Sequence, residues 1–497
     1  MPAPRPGPRP AIAARREWWS SRADRSQSRN AALPASHDIL GRFAGGLLCL
    51  VTGLVILREW LLPDAVLDWA LIPSLLGLVA LLSLQVGWGR RAFVATAIVL
   101  TVALFLREPD WSEVVLRAIH SSAFIAAFFA ALATLRSAAE KAPAIRDAGT
   151  FLSKQPPGRR YAALTVGGQM FALLLNYGAI ALLGSLATAS ARAEPDAEIR
   201  FHRTRRMLLA IQRAFCSTLP WSPLSFAVAI TTALIPGTNW GGVLLPALGT
   251  SALMAVTGWS LDSIFKPRLS HPPPERRKPE GSWALMLPLA GLLAILVAST
   301  LTLQWLSGLR VIAIVLLVVP TIALVWLTLQ TRSAAGLGRR LAGFAFDELP
   351  GYRGEVTLLM MAGYIGTVGA PLLQPLVAGL GLHPEALPTW LVLVGLVWLI
   401  PALGQLGMNP ILGVTLLAPL IPSAEMLGVA PTAIVTAITA GWALGGISSP
   451  FTATTLLTGS FGNVSARHVG LVWNAGYMVA MLAILSLWVL VVAWLLG

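Results

Sequence analysis

The sequence predicts an all-α polytopic membrane protein with about eleven transmembrane helices and two re-entrant hairpins, arranged as two inverted repeats. Of its 497 residues, 56% are hydrophobic and only 12% are charged, which leaves too little polar surface for a soluble domain. The apolar residues also fall in runs of roughly 17–25, the length at which a helix crosses the hydrocarbon core of a bilayer. Basic and acidic loops alternate between the first runs, as successive membrane crossings require.

Eleven apolar runs are long enough to serve as spans. They lie at 39–57, 66–86, 92–106, 114–135, 207–235, 241–257, 283–303, 310–329, 355–380, 431–458 and 470–496. The net charge is +14, and the surplus gathers in loops that we place on the cytoplasmic side. The chain is therefore predicted in the inner (plasma) membrane of the cell, with a cytoplasmic N-terminus and a C-terminus outside.

The loops divide the chain into four predicted segments. Residues 1–36 form a basic arm that cannot build a core, so we expect disorder in the cytoplasm and contact with membrane lipid. Residues 37–258 form the first membrane half, 259–282 a basic, Pro-rich cytoplasmic linker, and 283–497 the second half. No basic soluble domain is present to carry a nucleic-acid partner, and none is expected.

Two apolar segments do not fit as single spans. Basic residues lie on both sides of 161–187, so one crossing would leave a basic cluster outside. The loops on both sides of 389–421 lack Lys and Arg. Each segment is predicted to turn back inside the membrane at Gly, Pro or Asn residues. The first span is then extra, and the other ten form two sets of five with opposite orientations.

Both halves carry the same short motifs in the same order, which favours a duplication. In each half an Asn at the hairpin turn is followed by Ser-Pro-x-Ser/Thr in a broken span (207–235 or 431–458), 46 residues later in the first half and 40 in the second. A helix broken inside a membrane offers N–H groups to an anion and freed carbonyls to a cation. The predicted substrate-binding and ion-binding residues are Asn176, Gly178, Ser222, Pro223, Ser225, Asn409, Pro410, Ser449, Pro450, Thr452 and Thr454.

These polar residues also have a purely structural interpretation. The two asparagines can cap half-helices, and the serines can bond back to the preceding turn at a kink that proline causes by itself. His120, inside the fourth span, is a further candidate for proton coupling, because an ionisable side chain within a membrane is a functional hypothesis by default.

The architecture resembles the ion transporter superfamily, in particular the divalent anion:sodium symporters and the large membrane subunits of tripartite dicarboxylate transporters. The resemblance covers residues 60–497 in layout and four short motifs in sequence. In that family each hairpin tip carries Ser-Asn-Thr, of which only the central Asn matches here, at Asn176 and Asn409. The resemblance implies a homodimer in which a transport domain moves like an elevator against a scaffold.

The expected function is secondary active transport of a small organic anion, a carboxylate above all, with Na⁺ or H⁺ as the coupling ion. No nucleotide-binding motif is present, and no cofactor or metal site is expected, since Cys49 and Cys216 lie in or beside apolar runs. A membrane-embedded enzyme acting on lipid-linked substrates would need clustered carboxylates or histidines, and here the acidic residues are scattered, so we expect no enzyme. A non-transporting scaffold is the other alternative. The duplicated breaks argue against it, because they cost stability unless they serve a site.

Overall fold

The computed structural model describes residues 35–61, 65–156, 158–267, 269–270, 281–381 and 384–497. In these ranges all regular secondary structure is helical, and ten helical segments are long and apolar enough to cross a membrane. The predicted class of polytopic α-helical membrane protein is thereby confirmed. The predicted arm (1–36) lies outside the described residues except for its last two, and so does 271–280 of the predicted linker.

The helices are numbered here in chain order. The first half contains α1 (Ala35–Leu61), α2 (Ala65–Gln85), α3 (Trp88–Arg107), α4 (Trp111–Glu140), α5 (Pro143–Ser153), α6 (Arg159–Leu175), α7 (Gly178–Arg192), α8 (Ala197–Thr218), α9 (Phe226–Leu234) and α10 (Trp240–Ile264). The second half contains α11 (Leu287–Ser307), α12 (Val311–Thr331), α13 (Ala334–Gly343), α14 (Arg353–Gly379), α15 (Thr389–Gln405), α16 (Pro410–Leu417), α17 (Pro431–Ser448), α18 (Ala453–Gly462) and α19 (Ala475–Leu496). Short π-helical turns at Phe344–Glu348 and Val469–Trp473 precede α14 and α19.

Ten of the eleven predicted spans coincide with a membrane-length helical segment, and 207–235 does not. This stretch contains the end of α8, an extended segment and the nine-residue α9. Helix α8 begins ten residues before the predicted run and carries five arginines along its length. The segment 207–235 was predicted as a broken span, and the break between α8 and α9 lies within it.

The two predicted hairpin segments are each built from two short helices. In the first, 161–187, Asn176 and Tyr177 join α6 to α7; in the second, 389–421, residues 406–409 join α15 to α16. Helix α15, and α16 together with the 3₁₀ turn that extends it to Leu420, are apolar helices of 10–17 residues. A single span needs about 20 residues. The turn in each segment is thus observed, and its position inside a membrane stays a prediction.

Equivalent elements of the two halves make equivalent contacts. Helix α8 packs on α6 and α10, and its counterpart α17 packs on α15 and α19. The second piece of each broken segment crosses to the other half: α9 contacts α16 and α17, while α18 contacts α7 and α8. A Cβ at Gly184 of α7 would lie 2.8 Å from the ring of Phe461 on α18, so this close approach requires glycine. The crossed packing brings both breaks into the protein interior.

Candidate functional site

The two breaks are neighbours at the contact between α8 and α17. A Cβ placed on Gly446 of α17 would lie 3.1 Å from the Sγ of Cys216, which is two residues before the end of α8. Ser222 and Ser225 of the first break and Ser449 of the second are all buried. The two breaks therefore meet at one buried contact, although their Ser-Pro motifs are more than 200 residues apart in sequence.

The hydroxyl groups of the first break are satisfied by their own backbone. The Oγ atom of Ser222 accepts a hydrogen bond from the N–H of Leu224 at 3.1 Å. Ser225 donates to the carbonyl of Leu219 at 2.6 Å and accepts from the N–H of Val228 at 3.3 Å, which caps α9. Pro223 is buried between them and has no backbone N–H that would need a hydrogen-bond acceptor. The structural interpretation of these serines is therefore well supported, since each stabilises the local turn.

The second break is tied instead to the second hairpin. Ser449 donates to the carbonyl of Gly404 in α15 at 2.6 Å, and Gln405 donates from Nε2 to the hydroxyl of Ser448 at 3.1 Å. The equivalent serine of the first half, Ser222, makes no such bond to α6 among the described residues. The two breaks thus have matching sequences and different bonding. Ser449 itself bonds to its hairpin, whereas in the first half the link to the hairpin runs from Nε2 of Gln169 in α6 to the hydroxyl of Ser217 near the end of α8, at 3.0 Å.

A cluster of hydroxyl and carbonyl oxygens lies beside Pro450 in the second break. The Oγ1 atoms of Thr452 and Thr454 are 2.9 Å apart, and Thr452 is 3.1 Å from the hydroxyl of Thr455. Thr455 donates to the carbonyl of Ser449 at 2.6 Å, and Thr454 donates to the carbonyl of Gly446. An oxygen-rich, uncharged cluster of this kind suits a hard cation such as Na⁺. Thr455 belongs to the cluster as fully as the predicted Thr452 and Thr454.

The two hairpin tips differ in what their asparagines do. The side-chain Oδ1 of Asn409 accepts a hydrogen bond from the N–H of Ile411 at 2.8 Å and so caps α16, whose first residue is Pro410. Asn176 has a positive φ of 50°, and its side chain makes no hydrogen bond with the described residues. The structural interpretation therefore holds for Asn409, while Asn176 keeps its side chain available.

The cap at Asn409 gives a first prediction. We expect Asn409→Ala to lower the free energy of unfolding by about 1 kcal/mol, because it removes the oxygen that caps α16. Asn409→Ser is the matched control, since serine caps a helix about as well as asparagine. Thermal unfolding of the purified variants measures the difference. Equal stability of the alanine and serine variants would contradict the capping role.

Arg136 lies against the tip of the first hairpin and was missed as a site residue. A Cβ on Gly178 would be 3.2 Å from the Nε of Arg136, which is buried and has no hydrogen-bond partner. The guanidinium group stacks over the ring of Tyr352 at 5.2 Å and is 3.8 Å from the nearest carboxylate oxygen, on Glu140. The sequence placed Arg136 at the start of a cytoplasmic loop. Helix α4 continues for four residues beyond Arg136, to Glu140. The helical pattern of this stretch was the signal that could have placed Arg136 in the helix.

His120 belongs to a three-residue ionic cluster that the sequence did not reveal. Its Nε2 atom is 2.9 Å from Oδ1 of Asp68, and the Nε of Arg58 is 3.4 Å from the same oxygen. The three side chains come from α1, α2 and α4, so only the packing of these helices brings them together. Among the residues that the structure describes, no group of three His, Cys, Asp or Glu side chains could hold a metal ion.

Two cavities, each of about 330 Å³, lie away from the predicted residues. One is lined by polar groups between α2 and the start of α14, including Arg90 and Glu355. The other lies beside the arginine-rich part of α8. The breaks themselves are closely packed, as the burial of Ser222 and Ser449 shows.

Comparison with known proteins gives a fold and no family. Neither protein-family models nor curated protein sequences match the chain. Among solved structures, it is similar to the YdaH transporter of Alcanivorax borkumensis, at 15% identity and a TM-score of 0.53 over 80% of this chain and 98% of that one. It also aligns with MtrF of Neisseria gonorrhoeae, described as illuminating a class of antimetabolite efflux pumps, at 14% identity and a TM-score of 0.49 over 84% of this chain and 97% of that one. The chain therefore has a fold that a known transporter uses, and this similarity does not single out the ion transporter superfamily.

Proposed function

We propose that the chain is a secondary active transporter of a small organic anion, with a carboxylate as the expected solute. The observation that carries the proposal is the pair of neighbouring breaks, each followed by a helix that packs against the other half. Broken helices are costly inside a membrane, and they are tolerated where the freed backbone groups line a solute or ion site. The predicted substrate-binding and ion-binding residues, from Asn176 to Thr454, are proposed as parts of this site.

The anionic character of the solute is supported by Arg136. Its guanidinium group lies at the first hairpin tip, next to Gly178. The residue before this glycine is Tyr177, whose side chain is exposed. Arginine binds carboxylates through a planar fork of N–H donors. The side chain of Arg136 is half-buried, and its Nε makes no hydrogen bond with the described residues, since the nearest carboxylate oxygen, on Glu140, is 3.8 Å away. Asn176, whose side chain makes no hydrogen bond with the described residues, would supply a neutral donor beside it.

The coupling ion is proposed to be Na⁺ or H⁺. The oxygen cluster of Thr452, Thr454 and Thr455 supports Na⁺, because its hydroxyls and backbone carbonyls are hard, uncharged ligands. The contact between Asp68 and His120 supports H⁺, because a carboxylate and an imidazole in hydrogen-bond contact can pass a proton between them. Uptake driven by each gradient separately distinguishes the two ions.

The remaining expectations are proposed with the same function. They are a homodimer, elevator-type alternating access, a location in the inner membrane in contact with lipid, a cytoplasmic N-terminus and a C-terminus outside. The resemblance to the ion transporter superfamily supports the dimer and the movement, and the loop charges support the orientation. Cysteine labelling at positions 176 and 409 from the two sides tests the orientation of the hairpins.

Uptake of labelled carboxylates by proteoliposomes, under an imposed Na⁺ or H⁺ gradient, tests the proposal. We expect Arg136→Gln to lower uptake at least tenfold, because it removes the charge from the hairpin tip. Arg146→Gln removes an exposed charge from the neighbouring helix α5 and should leave uptake unchanged. If the wild-type protein moves no organic anion under either gradient, or if the two variants behave alike, the proposal fails.

A further inference from the structure

The second cavity is lined by arginines of α8, the helix that leads into the first break, and one of them, Arg213, is buried. It encloses about 330 Å³ between α8, α10 and the residues that precede and begin α19. Arg205, Arg206 and Arg213 line it together with His202, and Asp262 is the one carboxylate among the residues that line it. Burial, together with the nearby Arg203 and Arg206, lowers the pKa of Arg160 to about 10 at this end of the molecule. Positive charge is thus concentrated here beyond what the local carboxylates balance.

Asp262 neutralises only one of these arginines. It accepts two hydrogen bonds from Arg206, at 2.7 Å from Nε and 2.6 Å from Nη2, so the pair is bidentate. Arg213 is only 7% exposed, and its partners are neutral: Nε donates to Asn474 at 3.0 Å and Nη1 to the hydroxyl of Tyr161 at 3.0 Å. Within the described ranges no carboxylate pairs with it. A buried cation without a counter-ion is costly, and an anionic ligand would remove that cost.

Arg205 is the second uncompensated cation of the cavity. Its Nε is buried without a hydrogen-bond partner, and its guanidinium group lies 5.8 Å from the ring centroid of Trp473. Arg213 stacks in the same way on Tyr477, at 4.1 Å. Stacking on aromatic rings holds both guanidinium planes in place. Arg213 already uses its Nε–H and one Nη1–H, and its remaining N–H groups are left for a ligand. Two pre-positioned arginines with unused donors are what a carboxylate group requires.

The rest of the wall indicates what is attached to that carboxylate. Apart from the charged groups, the lining consists of aromatic rings, including Tyr161, and of aliphatic side chains such as Leu209 and Leu261. A volume of about 330 Å³ is at the lower end of the range for small-molecule sites. The lining therefore fits a small organic anion with a flat, apolar body better than an inorganic ion, which would leave the aromatic walls unused.

A chain of buried hydrogen bonds connects this cavity to the second break. Asn474, which binds Arg213, also donates from Nδ2 to Gln212 at 3.1 Å. Gln212 in turn donates to the carbonyl of Ile447 at 3.2 Å, two residues before Ser449. Both linking side chains have no exposed surface. The cavity is thus joined through fixed side chains to the region where the two breaks meet.

We propose that this cavity is a second anion-binding site, which holds an organic carboxylate with an apolar body between the arginine-rich surface and the breaks. The proposal rests on the proposed function, because it makes the cavity a binding site on the path of the transported anion. It adds a separate binding site on α8, formed by Arg205 and Arg213 with aromatic walls, and it narrows the substrate class to carboxylates with an apolar body.

Calorimetric titration of the purified, detergent-solubilised protein with benzoate tests the site. We expect Arg205→Gln to weaken benzoate binding at least tenfold, because it removes one of the two uncompensated guanidinium groups. Arg203→Gln is the matched control: it removes the same charge two residues away, from a side chain that bonds to Ser190 and does not line the cavity. Its affinity should stay within about twofold of wild type.

Several results would overturn the inference. Equal weakening in both arginine variants would mean that general positive charge, and not the cavity, attracts benzoate. Displacement of benzoate by phosphatidylglycerol in nanodiscs, without displacement by other soluble carboxylates, would make the cavity a lipid site. Absent benzoate binding with intact carboxylate uptake would overturn this inference alone, and intact binding with no uptake would overturn the proposed function alone.

Discussion

Replacing Ser449 with alanine is expected to lower uptake at least tenfold, whereas the equivalent change at Ser222 should alter uptake by less than about threefold. The hydroxyl of Ser449 holds the second break to the carbonyl of Gly404 in the hairpin helix α15, at 2.6 Å. Its loss leaves that carbonyl with the N–H of Gly407, at 3.2 Å, and removes a bond between break and hairpin that is worth about 0.5–1.5 kcal/mol. The break is then held to α15 less firmly. Ser222 bonds only to the N–H of Leu224, two residues on, so its removal disturbs one local turn.

The comparison of these two serines is decisive because their sequence motifs are equivalent. Initial rates of carboxylate uptake in proteoliposomes, normalised to the amount of folded protein, give the measurement. Thermal unfolding of the same preparations separates lost transport from lost folding. Equal losses in Ser222→Ala and Ser449→Ala would show that the two halves contribute alike, and that the bond between Ser449 and Gly404 has no special role.

The second large effect is expected at Gly470, in the π-helical turn before α19. A Cβ on Gly470 would lie 2.0 Å from the carbonyl oxygen of Ser448, the last residue of α17 before the second break. The contacting atom belongs to the backbone, which cannot move aside as a flexible side chain can. Gly470→Ala must therefore push the turn and the break apart. We expect a loss of about 3 kcal/mol or more in the free energy of unfolding, and little folded protein after heating.

Gly291→Ala is the matched control for this substitution. Gly291 lies inside α11, where an added Cβ meets nothing within 4 Å, and alanine favours a helix over glycine by about 1 kcal/mol. Size-exclusion chromatography of both variants after heating at a series of temperatures compares their stabilities. An unchanged unfolding temperature in Gly470→Ala would mean that the turn is not packed against the break as the structure has it.

Local sequence was sufficient to predict the class of polytopic α-helical membrane protein and the positions of the two breaks. Apolar runs specify membrane-length helices wherever they occur, because the hydrocarbon core sets the length that must be apolar. Proline and glycine act on the backbone of their own turn, so the interruptions at Pro223 and Pro450 were visible in the motifs. At 207–235 the predicted break separates two helices, and the first of them, α8, begins ten residues before the apolar run.

The candidate site was only partly accessible to the same reasoning. Asn176 and Asn409 were paired by their motifs, yet the side chain of Asn409 caps a helix and that of Asn176 makes no hydrogen bond with the described residues. Arg136 was assigned to a loop, although it faces the tip of the first hairpin. A motif records which groups are present near a turn. Which partner each group finds depends on the elements that pack around it.

The sequence by itself determined the membrane class, the segments that turn back, and the duplicated polar motifs, because each depends on a property of neighbouring residues. Only the tertiary structure decided which groups meet: Arg213 binds Asn474 across 261 positions of the chain, and Ser449 binds Gly404 across 45. The physical reason is that hydropathy and turn propensity are local, whereas a hydrogen bond or an unpaired buried charge is fixed by the packing of distant helices.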